Sequence, residues 1–184
     1  MLQITIPAFS YFDEIREEFI DVKKDTTLQL EHSLKSIAKW EAKWKKPFIG
    51  NSRTPPKSRE ELIDYIRCMT LTQNVDPVVY VGITNSVLQE VTEYIEDPMT
   101  ATWFSEDSKK KPNSEIITAE IVYYWMISLN IPLECEKWHL NRLITLIRVC
   151  SIKNQPPKKM NPKQALSKRR ALNAARNKRF GSHK

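Results

Sequence analysis

The period of the apolar residues changes once along the chain, at Ser33, and that change restricts the available folds. Before it, Leu2, Ile4 and Ile6 alternate with polar positions, and Thr26-Thr27-Leu28-Gln29-Leu30 repeats the same two-residue period. Such alternation fits strands with one face buried and the other wet. The two segments predict a small antiparallel sheet, with residues 18–22 as its third strand. After Ser33, Leu34, Ile37, Trp40 and Trp44 recur at helical spacing with Lys and Glu between them, and Pro47 follows. That pattern predicts an amphipathic helix ending before the proline. The fold class expected is therefore α+β, mostly helical, with a small N-terminal antiparallel sheet over 1–31 and helices over 32–152.

Later segments extend the helical reading. Ser58 and Glu61 stand in capping-box spacing ahead of Leu62, Ile63, Ile66 and Met69, which marks a helix start. A turn over 74–77 and a short segment over 78–81 lead to Thr84, the expected cap of a helix carrying Val87, Leu88, Val91 and Ile95 and ending before Pro98. Two strongly apolar helices are expected at about 115–129 and 135–152. The first is apolar most of the way round, with Ile117, Ile121 and Tyr124 on one face and Ile116, Tyr123 and Ile127 on others. This predicts a central, largely buried helix. Trp138, Leu140, Leu143, Ile144 and Ile147 of the second are its expected packing partners.

Charge divides the chain in two. Residues 153–184 hold 11 Lys and Arg and no acidic residue, leaving 18 basic against 22 acidic residues in 1–152, a net of −4 for the body against +7 for the whole chain. "NQPPKKMNP" separates them, and Asn161-Pro162 is a good start signal for a helix over about 163–178. That helix has only Leu166 and Leu172 as large apolar groups. The two expected regions are a globular body, 1–152, and a basic tail, 153–184, helical or disordered and in need of a partner.

The residues argue against several kinds of chemistry. Three glycines, Gly50, Gly82 and Gly181, never share a loop, so a phosphate-cradling turn has no backbone to build it. Cys68, Cys135 and Cys150 are odd in number and contain no C-x-x-C pair, which speaks against a disulfide framework or a zinc ribbon. His139 lies four residues after Cys135, a spacing that a metal or a Cys–His pair could use, but no second ligand pair completes a site. Cys135 reads as a small core residue and His139 as a packing or capping group. Glu17/Glu18 and Glu60/Glu61 read as surface charges. No cofactor and no enzymatic activity are expected. The opening residues do not read as a signal peptide, and the longest uncharged run, 121–133, has 13 residues, short of a bilayer span. These features predict a soluble, intracellular protein without membrane association.

Partner-binding residues remain. Trp40 and Trp44 lie one turn apart in "KWEAKWKKPF" and serve either as core or as an aromatic docking face together with Phe48. In the tail, Lys168, Arg169, Arg170, Arg176, Lys178 and Arg179 form "KRR" and "RNKR", suited to an acidic protein surface or to nucleic acid. Only Phe180 offers a base-stacking surface there, which favours the protein.

Several phrases taken together, "LEHSLKSIAKWEAKWKKPF", "DYIRCMTLT", "YIEDPMTATWF", "EIITAEIVYYWMISLNIP", "WHLNRLITLIRVC" and "LNAARNKRFGS", resemble a family of small tailed-bacteriophage proteins that looks like the tail assembly chaperones. The resemblance spans nearly the whole chain. It implies a non-enzymatic role in the host bacterial cytoplasm: binding the tape measure protein, keeping it soluble and assisting the major tail protein to polymerise around it. It also implies that a frameshift-extended form could exist; a homo-oligomer is a further partner the sequence leaves open. Two rivals stand beside it. One is a structural virion component, such as a head–tail joining, tail-tube-associated or capsid-decorating subunit. The other is a nucleic-acid-binding protein acting through its basic tail.

Overall fold

A computed structural model describes residues 1–14, 17–49, 57–102, 104, 116–155, 166, 167, 169–171 and 173. The chain divides into two compact units, Met1–Cys150 and Ser151–Lys184. The element order shows a mixed α+β fold, mostly helical, with its strands at the N-terminal end. Four strands, β1 (Leu2–Ile6), β2 (Phe9–Asp13), β3 (Glu18–Val22) and β4 (Thr26–Leu30), precede five helices. These are α1 (Leu34–Trp44), α2 (Arg59–Met69), α3 (Asn85–Glu96), α4 (Ala119–Ser128) and α5 (Leu140–Asn154), with 3-10 turns at Pro77–Gly82 and Leu133–Lys137. No helix among the described residues is long and apolar enough to cross a membrane.

The strands form two successive antiparallel ladders. β1 pairs with β4, placing Ile4 opposite Leu28, and β2 pairs with β3, placing Phe12 opposite Phe19. The expected strand over 18–22 is present but joins β2, a strand the sequence reading did not anticipate, and not the β1–β4 sheet. Phe9, Tyr11 and Phe12 fall on both faces of β2, which conceals the two-residue period. Between the ladders, Pro7 and Ala8 face Lys23, Lys24 and Asp25. Proline has no N–H to continue the ladder, and the Ala8 N–H is taken up by Asp25 Oδ1 at 2.9 Å.

Ile4, Ile6, Leu28 and Leu30 bury the inner face of β1–β4 in a core that also takes in Leu34, Ile37 and Trp40 of α1 and Tyr65, Ile66 and Met69 of α2. α1 packs against both α2 and α4. Its start is fixed by Ser33, whose hydroxyl accepts from the Ser36 N–H, and its end by Lys45 in the left-handed region at φ 55°. The Ser58/Glu61 capping box forms on α2, and Thr84 caps α3 by accepting from the Val87 N–H. The end of β4 is tied to the end of α2 by the Glu31 N–H to Met69 O and Leu71 N–H to Gln29 O bonds, 3.0 and 2.8 Å.

Two expectations about the last helices are corrected. α4 is not buried all round: Ala119, Val122 and Met126 make a narrow seat of three- and four-residue spacing, while Tyr124 and Ile127 are each 67% exposed and Ile116 is exposed. Ile121, Tyr123 and Trp125 on its flanks are half-buried, Tyr123 and Trp125 packing against the core and the Tyr123 hydroxyl donating to Glu136 Oε2 at 2.7 Å, so that only the side carrying Tyr124 and Ile127 is open. The helix expected over 135–152 is interrupted. Trp138 adopts an extended conformation after the 3-10 turn, and α5 begins at Leu140, whose N–H donates to His32 O at 2.7 Å. Leu140, Leu143 and Ile147 enter the core as expected, whereas Trp138 lies 37% exposed with the Arg142 guanidinium 4.4 Å from its ring centroid.

A buried aromatic cluster and an exposed apolar helix face as candidate functional site

The residues flagged as an aromatic docking face fall into three environments. Trp40 is 1% exposed and Phe48 is buried with it, their rings edge to face at 5.2 Å. Phe48 lies against Tyr65 at 3.9 Å, and the Trp40 indole N–H donates to Glu61 O at 2.9 Å. These contacts make Trp40 and Phe48 core residues; a partner could not reach them without unfolding the body. The four-residue spacing that suggested a docking stripe is the same spacing that buries Trp40 between α2 and α4.

Trp44, one turn later, keeps part of its ring accessible. It stacks on Trp40 at 6.1 Å and donates its indole N–H to Asp64 Oδ2 at 2.8 Å. Lys43 forms an ion pair with the same carboxylate. Burial opposes ionisation of Asp64, yet the Lys43 ammonium and the Trp44 N–H hold its carboxyl below the usual range. Lys43, Trp44, Arg59, Ile63, Arg67 and Tyr80 are among the residues lining a shallow depression of about 460 Å³. Of the tail residues, Arg169 and Arg170 are exposed in helical backbone, while Lys168, Arg176, Lys178 and Arg179 lie outside the described residues.

Next to the aromatic cluster sits a polar one. His32 Nδ1 lies 2.5 Å from the Tyr65 hydroxyl, the His32 and His139 rings stand edge to face at 5.0 Å, and His139 Nε2 lies 3.0 Å from Tyr94 O. A carbonyl can only accept, so Nε2 of His139 carries the proton. Its Nδ1 accepts from the Asn141 N–H at 3.3 Å, at the start of α5. His139 therefore both packs and caps. Burial drives His32 from its ordinary 6.5 down to about 3, and the neighbouring His139 and Lys57 push the same way. Burial also lowers His139, although the bond to Tyr94 O partly offsets it. Burial raises Tyr65 strongly, which keeps its hydroxyl protonated. Among the described residues no group of three or more His, Cys, Asp or Glu side chains could hold a metal ion.

Two carboxylates depart from the surface role that their sequence context suggested or left open. Glu61 is buried, held by Lys46 Nζ at 2.5 Å and by the Ser58 N–H at 2.8 Å, and these bonds keep its carboxyl below the usual range. Glu41, on α1, accepts from the Phe48 N–H at 2.7 Å through Oε1 and from the Ala119 N–H at 2.8 Å through Oε2. It thereby caps α4, whose own Thr118 makes no side-chain cap. No local spacing signals this, because the partners are 7 and 78 residues away. In Glu41→Ala both buried N–H groups lose their acceptor, at about 1–3 kcal/mol each. A total loss of about 2–6 kcal/mol is expected, read as a lower midpoint in urea with an unchanged slope. Glu41→Gln, which retains one acceptor, falls between.

Large uncovered apolar groups lie elsewhere. On α4, Glu120, Tyr124, Ile127 and Ser128 are exposed at spacings that align them on one outward face. The Tyr124 and Ile127 side chains are its apolar members, and Leu133 is exposed just beyond the helix. Sequence reasoning had the signal for this face, an apolar helix with more apolar residues than one stripe can bury, and read it as a deeper position in the core. No family model matches the chain, and neither does any curated protein or solved structure.

Proposed function

We propose that this chain is a non-enzymatic phage morphogenesis protein, a tail assembly chaperone that binds the tape measure protein in the host bacterial cytoplasm and assists tail tube assembly. The observation that carries the reading is the outward face of α4, where Tyr124 and Ile127 are two-thirds exposed on a helix whose other side is seated in the core through Ala119, Val122 and Met126. Exposed apolar groups aligned along a helix are a binding surface for another amphipathic helix. A tape measure protein presents long apolar helical stripes before the tube closes around it, so the two surfaces suit each other. The family resemblance supplies the partner's identity.

The docking face thus moves from Trp40, Trp44 and Phe48 to Tyr124 and Ile127, with Trp44 the one member of the first set still accessible in part. The exposed Arg169 and Arg170 suit an acidic protein surface. Co-expression with the tape measure protein tests the reading: the tape measure protein becomes soluble and co-purifies with this chain, and purified virions lack the chain. A tape measure protein that stays insoluble, or a chain retained stoichiometrically in the virion, would replace the chaperone with a structural subunit.

A further inference from the structure

The β2–β3 hairpin has an uncovered face of its own. Its inner side, Phe9, Tyr11, Ile20 and Val22, is half-buried, and Phe9 packs so closely on Gly82 that a Cβ there would enter its ring. Its outer side carries Ser10, Phe12, Phe19 and Asp21. Phe12 and Phe19 face each other across the ladder, edge to face at 5.2 Å, and are 49% and 74% exposed. A two-stranded ribbon is marginal in water without a covering layer, and a directly opposed aromatic pair is more than the scattered surface apolar residue of an ordinary monomer.

Charge restricts what can cover it. Residues 9–22 contain five carboxylates against the single basic Arg16, with Lys23 and Lys24 following; Asp13 and Glu18 belong to the inner side of the ladder, and Glu14, Glu17 and Asp21 carry the negative charge at the turn and on the outer side. Two such hairpins would repel one another, so the occupant has to be both apolar and basic. The segment 153–184 answers that description: 11 Lys and Arg, no acid, and Met160, Leu166, Leu172 and Phe180 as its large apolar groups. Leu166, Arg169, Arg170 and Asn173 have helical backbone at spacings that place them on one face, and all four are exposed. Among the described residues, neither arginine forms an ion pair.

We propose that the chain self-associates head to tail, with the basic segment 153–184 of one copy lying across the Phe12/Phe19 face of the β2–β3 hairpin of a second copy. Each copy carries one donor and one acceptor, so the contact is heterologous and closes into rings or extends into open chains. This inference does not depend on the tape measure reading, because it requires only the chain itself.

Light scattering coupled to size exclusion tests it on full-length, nuclease-treated protein. At about 0.05 M salt the mass exceeds that of a monomer and rises with concentration; at about 0.5 M salt, where exposed charges are screened, it falls to the monomer. The hairpin variant Phe12→Ser/Phe19→Ser and the tail variant Arg169→Glu/Arg170→Glu are each monomeric alone. Mixed, they form a one-to-one complex, since the first retains the tail and the second the hairpin. Glu14→Lys/Glu17→Lys, which leaves both apolar faces of the ribbon intact, weakens association about tenfold or more, and combining it with the reversed arginines restores binding. A nuclease-treated wild-type protein that is monomeric throughout, variants that keep the wild-type mass, or a mixture that stays monomeric would each overturn the proposal.

Discussion

Trp40→Ala lowers the unfolding free energy by about 3–5 kcal/mol, the usual cost of emptying an aromatic site in a close-packed core. The site is enclosed by Phe48 at 5.2 Å and Trp44 at 6.1 Å, and truncation also leaves Glu61 O without its indole donor. For a unit of this size the melting temperature drops by roughly 10 °C or more. Trp44→Ala costs less, about 1–2 kcal/mol, because part of that ring is already in water and its Asp64 contact is shared with Lys43. Thermal melts of the two variants side by side check the order. A Trp40→Ala protein with an unchanged melt would mean that the indole is not in the core, and would return it to the list of docking residues.

Acid is the second large effect. His32 titrates at about 3 in the folded chain and near 6.5 when unfolded. Between those values the unfolded chain binds a proton that the folded one refuses, so stability is full above about pH 6.5 and is lost as the pH falls. The slope approaches 1.4 kcal/mol per pH unit, and the loss approaches about 5 kcal/mol near pH 3. The groups around His32 do not rescue it: the His139 ring faces it at 5.0 Å, Lys57 adds positive charge, and Tyr65 is held neutral by burial. His139, lowered in the same direction, adds to the loss. Glu61 and Asp64, held below their ordinary values, contribute further at the acid end of the range. Urea unfolding at a series of pH values between 7 and 4 measures this, and His32→Gln flattens the dependence by about one proton while lowering stability at neutral pH. Equal slopes in the two proteins would show that His32 is not the group being protonated.

Local chemistry made much of the fold legible. Alternation in Leu2-Gln3-Ile4 and in Thr26 to Leu30 marked strands that do pair, and the Ser58/Glu61 spacing marked a capping box that does form. These signals act over a few residues, so the sequence carries them openly. The misread parts depend on distant partners. Whether Tyr124 and Ile127 lie in a core or face outward turns on whether another layer exists to cover α4, and no spacing within the helix decides that. The break at Trp138 depends on His32 and Ser33, more than a hundred residues earlier, which hold the His139 and Leu140 backbone. Glu41 acts as a cap across 78 residues. Trp40 and Phe48 were flagged for the right property, a large aromatic surface clustered within one segment, but α2 and α4 cover it.

Direct titration of the purified chain with an apolar helical segment of the tape measure protein, comparing wild type with Tyr124→Ser/Ile127→Ser, tests the central claim most closely. Binding by the wild type, weakened at least about tenfold in the double variant with little change in melting temperature, is the predicted result, because both side chains are two-thirds exposed. Equal affinities in the two proteins would take the binding face off α4, and no binding by the wild type would remove the tape measure protein as the partner.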